Sequence, residues 1–235
     1  ATGAPGTAWS AALQRAERLA WQAFDQIRLE SPFEGALLAD ILEILEPGDS
    51  LFVASSLPVR HLDGFGRPAA TQRPVYANRG ASGIDGTLAS AAGVAAQTGG
   101  RLLLVAGDLA FLHDLNSLLL LHKYRLKVTI VLINNDGGGI FQRLPVSGYE
   151  PLFSSLFRAP HGLTFEPAAR LFQLGYKSLR MEQAGHGAFR LALARALASE
   201  RPNIVEVFSD VVTNEAARKR IVQTFTNLWE SPQAS

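Results

Sequence analysis

The sequence predicts an α/β domain: a parallel sheet of about six strands with helices on both faces. Three observations carry this. Residues 101–106 (RLLLVA) and 128–133 (VTIVLI) are continuously apolar, the pattern of strands buried on both faces. Segments with helical periodicity alternate with strand-like runs from end to end. No repeat, low-complexity tract or second composition regime divides the chain.

Taken in order, Trp9, Leu13, Leu19, Phe24 and Ile27 recur at roughly helical spacing and predict an amphipathic helix over 8–29. Ser31-Pro32 opens a second helix over 33–46, with proline at the first turn. Pro47-Gly48-Asp49 ends it. Residues 51–54 and 74–77 read as short strands, and alanine-rich 86–97 as a closely packed helix. A helix over 112–124 joins the two buried strands. Residues 142–163 lack periodicity, contain Pro145, Gly148, Pro151 and Pro160, and are expected to form a long loop. Helices over 166–174, 187–199 and 213–229 then alternate with strands over 176–180 and 203–208. Residues 1–30 read as a linker (ATGAPGT) and leading helix, and 31–235 as the domain proper. The small-residue opening and Met181 as the only methionine lead to the expectation of a piece of a longer polypeptide, with a processed or trimmed whole protein as the alternative.

Composition sets bounds. Among 235 residues, 47% are apolar, enough for a packed core, and 18% are charged, too few for a disordered chain. A net charge of +1 gives no field that would gather nucleic acid or a membrane surface. The absence of cysteine excludes disulfides, thiolate metal sites and a cysteine nucleophile, and fits a reducing compartment. No apolar run reaches the roughly 18 residues of a membrane span, and no signal-peptide pattern opens the chain. The expected location is cytoplasmic.

Ligands of parallel sheets bind beyond the C-terminal ends of the strands, so the loops after the two buried strands hold the candidate chemistry. The first reads Gly107-Asp108-Leu109-Ala110, the second Asn134-Asn135-Asp136-Gly137-Gly138-Gly139. Asp108 and Asn135 are 27 residues apart, room for one helix and one return strand, which puts the two loops side by side. Together they offer a charged oxygen, an amide oxygen and, through Gly137, a carbonyl free to turn inward. Such oxygens suit a hard cation that completes its octahedron with phosphate and water. A helix starting after Asp108 would present free N–H groups to phosphate, and the glycines allow close approach. Asp108 alone reads as a helix cap; paired with Asn135 and the glycines it reads as a metal ligand. Asn134 is expected to hold loop geometry. His61, His113, His122, His161 and His186 show no ligand spacing and are read as structural or solvent-facing. Arg218, Lys219 and Arg220 read as a solvated patch. Gly80, Gly83 and Gly86 are spaced three apart and precede a buried strand, so they are no dinucleotide motif.

A Gly-Asp pair followed by Asn-Asn, each after an apolar strand, resembles the thiamine-diphosphate-dependent enzymes. The segments GDLAFLHDLNSLLLL (107–121), INNDGGGIFQRLP (133–145) and NRGASGIDGTLASAAGVA (78–95), with Ser56 and Arg60 as Ser-x-x-x-Arg, look like one branch of them. That branch is the 2-succinyl-5-enolpyruvyl-6-hydroxy-3-cyclohexene-1-carboxylate synthases of menaquinone and phylloquinone biosynthesis. Leu109 departs from the Gly-Asp-Gly or Gly-Asp-Ser of many members and fits this branch. The resemblance implies Mg2+ (or Mn2+) held by Asp108, Asn135 and the Gly137 carbonyl. It implies cofactor contacts from Ser56, Ile84, Leu109, Gly138, Ile140, Phe141 and Leu144. Arg60 and Arg79 match the branch's arginines for carboxylate substrates, 2-oxoglutarate and isochorismate, which are joined with loss of carbon dioxide. Asp114 and Asn116 belong to the branch motif, with packing or capping as alternative roles. The activating glutamate is expected on a separate pyrimidine-binding domain, leaving no catalytic residue in this chain and an inactive fragment that self-associates. Two other readings stay open: a domain of another thiamine-diphosphate-dependent 2-oxo acid decarboxylase or carboligase, or a non-catalytic phosphate-binding module.

Overall fold

The computed structural model describes residues 8–68 and 73–231; the linker reading of residues 1–7 lies outside them. Six parallel strands form one sheet in the order β2-β1-β3-β4-β6-β5. They are β1 (Ser50–Val53), β2 (Val75–Tyr76), β3 (Leu102–Gly107), β4 (Val128–Asn134), β5 (Gly175–Arg180) and β6 (Asn203–Phe208). The α/β fold class is as the sequence predicts.

Alternation along the buried strands builds two cores. Phe52, Leu102, Leu104, Ile130 and Leu132 face one side and pack with α4 (Thr87–Thr98), α5 (Asp108–His113), α6 (Leu118–Tyr124) and α7 (Glu166–Leu171). Leu51, Val53, Leu103, Val105, Val131 and Ile133 face the other and meet α2 (Glu34–Ile44) and α8 (Met181–Leu197). A further layer lies outside α2. There α1 (Ala8–Glu30) packs along α9 (Val211–Glu230), burying Phe24, Ile27 and Ala217 against Phe33.

The structure departs from the sequence reading in four places. A helix α3 (Leu57–Phe65) follows β1, entered through Pro58; its nine residues, which bury Leu57, Pro58 and His61, fall short of the roughly 11–18-residue window over which a helical period is read. The helix expected over 112–124 is interrupted. Asp114 breaks it, its carboxylate accepting from Ala89 N at 2.9 Å and Ser117 Oγ at 2.6 Å, so this residue ties α4 to the turn before α6. The expected loop over 142–163 contains short helical turns, Gly139–Arg143, Pro145–Gly148 and Phe153–Arg158. Finally, α8 begins earlier than expected, with a kink at Gly185.

The chain moves outward from β1 to β2, then crosses back to β3 and onward to β4. The reversal lies between β1 and β3, the switch point at which parallel sheets open a crevice.

Candidate functional site

Register decides what meets at that crevice. Gly107 pairs with Ile133 across β3 and β4, so Asp108 leaves the sheet beside Asn134 and Asn135. Around this point a cleft of about 150 Å³ is lined by Ser55, Ser56, Leu57 and Pro58 after β1, by 107–110 after β3, and by Asn135 and 137–141 after β4. Ile84 closes one side. Of the residues singled out from the sequence, Ser56, Ile84, Asp108, Leu109, Asn135, Gly137, Gly138, Ile140 and Phe141 therefore come together. Leu144 is half exposed and does not line the cleft; Arg60 and Arg79 are exposed outside it.

Asp108 is 2% exposed. Its Oδ2 accepts from Asn135 N (3.1 Å) and Gly137 N (2.9 Å), which clamps the second loop onto the first. Its Oδ1 accepts from Leu109 N at 2.7 Å, so that N–H, expected to be free for phosphate, is taken. Burial pushes the Asp108 carboxyl above its usual value, against the opposing hydrogen bonds from Gly137, His161 and Leu109. His161 Nε2 lies 3.2 Å from Oδ2. The expectation of a structural or solvent-facing His161 missed this contact, because an irregular segment 53 residues further along carries the ring back to the site.

The two asparagines differ sharply. Asn134 Nδ2 donates to Glu206 Oε1 (2.7 Å) and Leu163 O (3.0 Å), and its Oδ1 accepts from Asp136 N (3.2 Å). It is satisfied at both ends and holds the loop, as expected. Asn135 Nδ2 donates to Glu34 Oε1 at 2.9 Å, while its buried Oδ1 has no hydrogen-bond partner. An acceptor orphaned in a buried place normally costs about 1–3 kcal/mol, which an ion or a water within reach of this oxygen would offset.

Gly137 has φ +118, and a Cβ there would overlap the Arg158 carbonyl oxygen. Only glycine lets the loop lie this close to the segment behind it. The Gly137 carbonyl accepts from Gly139 N at 2.8 Å, which leaves its second lone pair for another partner. Ser56 sits at φ 75, ψ −133, a conformation that L residues rarely adopt, and Arg60 donates to its carbonyl at 2.8 Å.

Glu34 is fully buried. Burial works to raise its pKa, but hydrogen bonds from His61, Asn135 and Ser209 outweigh that and hold it below the usual carboxylate value. No local pattern in the sequence links it to Asn135, from which 101 residues separate it. Arg143, between Phe141 and Leu144, is held below its ordinary pKa by burial and by Arg218, with Glu215 opposing at 3.7 Å. The basic patch at 218–220 lies at the surface, as expected, and Arg218 and Arg220 pair there with Glu215 and Glu30.

Among the described residues no group of three or more His, Cys, Asp or Glu gathers as a metal cage. No helix among them is long and apolar enough to cross a membrane. A cation at this cleft would depend on few protein oxygens and on those of a phosphate, the usual habit of magnesium. Asp108, the orphaned Asn135 Oδ1 and the Gly137 carbonyl fit that requirement.

Known proteins resemble this chain in sequence and in fold. Curated 2-succinyl-5-enolpyruvyl-6-hydroxy-3-cyclohexene-1-carboxylate synthases are similar over most of the chain. That of Roseiflexus sp. (strain RS-1) is 40% identical over 222 residues, 92% of this chain and 37% of the relative. That of Rubrobacter xylanophilus is 46% identical over 187 residues, 79% of this chain and 32% of the relative. The chain thus spans about a third of the length of the curated relatives it matches. Among solved structures, benzoylformate decarboxylase from Polynucleobacter necessarius superposes with a TM-score of 0.63 at 16% identity, covering 76% of this chain and 33% of that one. A thiamine diphosphate-dependent 4-hydroxybenzoylformate decarboxylase of Rhodococcus jostii RHA1 gives 0.59 at 20% identity, covering 76% and 32%. At such identities the likeness concerns the fold. The family model for the thiamine pyrophosphate enzyme, C-terminal TPP binding domain, matches residues 65–207, and the chain belongs to that family.

Proposed function

We propose that this chain, through residues 31–235, is the diphosphate- and metal-binding part of a carboligase that decarboxylates 2-oxoglutarate and adds the product to isochorismate. The observation that carries this reading is the buried, unpartnered Asn135 Oδ1 beside Asp108 at the switch point of a parallel sheet. Thiamine diphosphate, when bound, supplies the nucleophilic carbon that attacks the 2-oxo acid. The chain's own residues do the holding. Asp108, Asn135 and the Gly137 carbonyl would take Mg2+ or Mn2+, and the cation would neutralise the diphosphate. Ser56, Leu109 and Gly138 would flank the phosphates. Ile84, Ile140 and Phe141 give the cleft apolar walls that exclude water from the cofactor; Leu144, outside the lining, would belong to the entrance. Arg60 and Arg79 would meet substrate carboxylates from the rim, since guanidinium forks suit two-point carboxylate contact.

Several exposed apolar side chains stand on the turns beside the cleft: Leu144, Tyr149, Leu152, Leu156 and Phe157. A surface of this kind suits a covering partner, and the reading assigns that role to the pyrimidine-binding domain of a homo-oligomer, which would bring the activating glutamate. A cytoplasmic location goes with soluble carboxylate substrates.

The test is calorimetric. Asp108→Ala is expected to abolish Mg2+-dependent binding of thiamine diphosphate; unchanged affinity and metal dependence would overturn the assignment. Arg60→Ala or Arg79→Ala should raise the substrate KM, with a loss of about 2–3 kcal/mol for each charged contact, and leave cofactor affinity nearly unchanged.

A further inference from the structure

An asparagine amide is almost the same shape either way round, so its neighbours decide whether the oxygen or the nitrogen faces a ligand. At Asn135 the deciding neighbour comes from a distant part of the chain. Glu34 opens α2, and its Oε1 accepts from Asn135 Nδ2 at 2.9 Å and from Ser209 Oγ at 2.8 Å. Its Oε2 lies 3.0 Å from His61 Nε2, and its backbone N–H donates to Asn214 Oδ1 at 3.0 Å. Contacts from α3, from the loop after β4 and from the residue after β6 therefore hold the carboxylate, while α9 anchors the backbone beneath it. A carboxylate accepts and does not donate. The Asn135 amide must turn its NH2 toward Glu34, and its oxygen is left facing away, buried and unpartnered.

We propose that Glu34 is the positioning residue of the site: it orients the Asn135 amide so that Oδ1, and not Nδ2, is presented to a divalent cation carried with a diphosphate. This rests on the metal–diphosphate reading of the cleft given above. A side chain that can also donate at position 34 would let the amide turn over and offer NH2, which repels a cation. Groups behind a metal ligand that set its orientation typically change metal affinity 10- to 100-fold.

The test uses Mn2+ with saturating thiamine diphosphate in the full chain. Bound metal is read from the loss of the free-ion electron paramagnetic resonance signal, and unfolding of the metal-free protein is followed in parallel. Glu34→Gln is expected to weaken Mn2+ binding at least about tenfold. Ser209→Ala disturbs the same carboxylate without freeing Asn135, and should lower stability while keeping Mn2+ affinity within about twofold of wild type. The double variant Glu34→Gln with Asn135→Asp should recover binding, because an aspartate offers an oxygen whichever way it turns and the glutamine amide has an acceptor to meet. Asn135→Asp alone, with two carboxylates facing each other, should bind about tenfold more weakly than the double variant. This last pair decides the matter even where Glu34→Gln alone does not fold, since a purely electrostatic role predicts the opposite order. Wild-type Mn2+ affinity in Glu34→Gln, or a double variant no better than Asn135→Asp, overturns the positioning role alone. A wild-type protein that takes up no Mn2+ with thiamine diphosphate overturns the reading of the site as well.

Discussion

Two residues show how the cleft is held in a shape that ordinary side chains resist. Ser56 sits at a positive φ with a side chain in place, and conformations of this kind cost on the order of 1–3 kcal/mol. Ser56→Gly is expected to raise stability by about 1 kcal/mol in thermal unfolding, while weakening diphosphate binding through loss of the hydroxyl. A variant no more stable than wild type would mean that the backbone there is relaxed. Gly137 poses the reverse case. Alanine at φ +118 would collide with the Arg158 carbonyl and push away the segment that brings His161 to Asp108. Gly137→Ala should cost more than about 2 kcal/mol and abolish metal-dependent cofactor binding, as read by calorimetry. The glycines of this loop were legible in the sequence because glycine runs after a buried strand are uncommon and local. His161 was not, since its approach depends on where an irregular segment returns.

Among the elements, α1, α2 and α8 are joined by charge. Asp40, 1% exposed, accepts from Arg28 at 2.6 Å, His186 Nδ1 at 2.7 Å and Arg190 at 3.0 Å, and Glu43 completes the group through the same two arginines. Burial would raise the Asp40 pKa, but His186 and the arginines hold it below the ordinary 3.8. The Asp40 hydrogen bond, opposed by burial, raises His186 above 6.5. The two shifts bound a window. The histidine's contribution is complete below pH 6.5 and fades as pH rises through its folded value. The aspartate's is complete above 3.8 and fades as pH falls. His186→Gln should therefore destabilise by about 1 kcal/mol near pH 6 and by clearly less near pH 9, where the imidazole is neutral and only the two arginines carry charge toward Asp40. Equal losses at both values, measured by denaturant unfolding, would show that His186 acts by packing. The unbroken apolar runs of β3 and β4 and the long period of α1 were readable from sequence; α3 was not, because nine residues are too few to establish a helical period. Asp114 looked like part of a continuous helix, since nothing local shows that its carboxylate is claimed by Ala89.

At the scale of the molecule, the sheet separates two cores that share only the strands between them. Leu104 is 1% exposed and Leu103 fully buried, one on each face. Truncating either to alanine should cost about 2–5 kcal/mol, and the two losses should add to within about 0.5 kcal/mol. Strong non-additivity in thermal unfolding would show that the faces are coupled through the backbone. The fold class could be read early because burial on both faces writes itself as unbroken apolar runs. Long-range pairings such as Glu34 with Asn135 could not, because sequence distance hides them.

That pairing bears on how small a working unit can be. The family match ends at residue 207 and begins at 65, yet Glu34, Ser55 and Ser56 precede it, and Ser209 and Asn214 follow it. A polypeptide cut to residues 65–207 would keep Asp108, Asn135 and Gly137 but lack β1, which stands between β2 and β3 in the sheet. The recognisable motif is thus shorter than the stretch of chain whose side chains hold the cleft together. Shortening from the N-terminal end past Glu34 should extinguish the proposed cation uptake while Asp108, Asn135 and Gly137 are all still present.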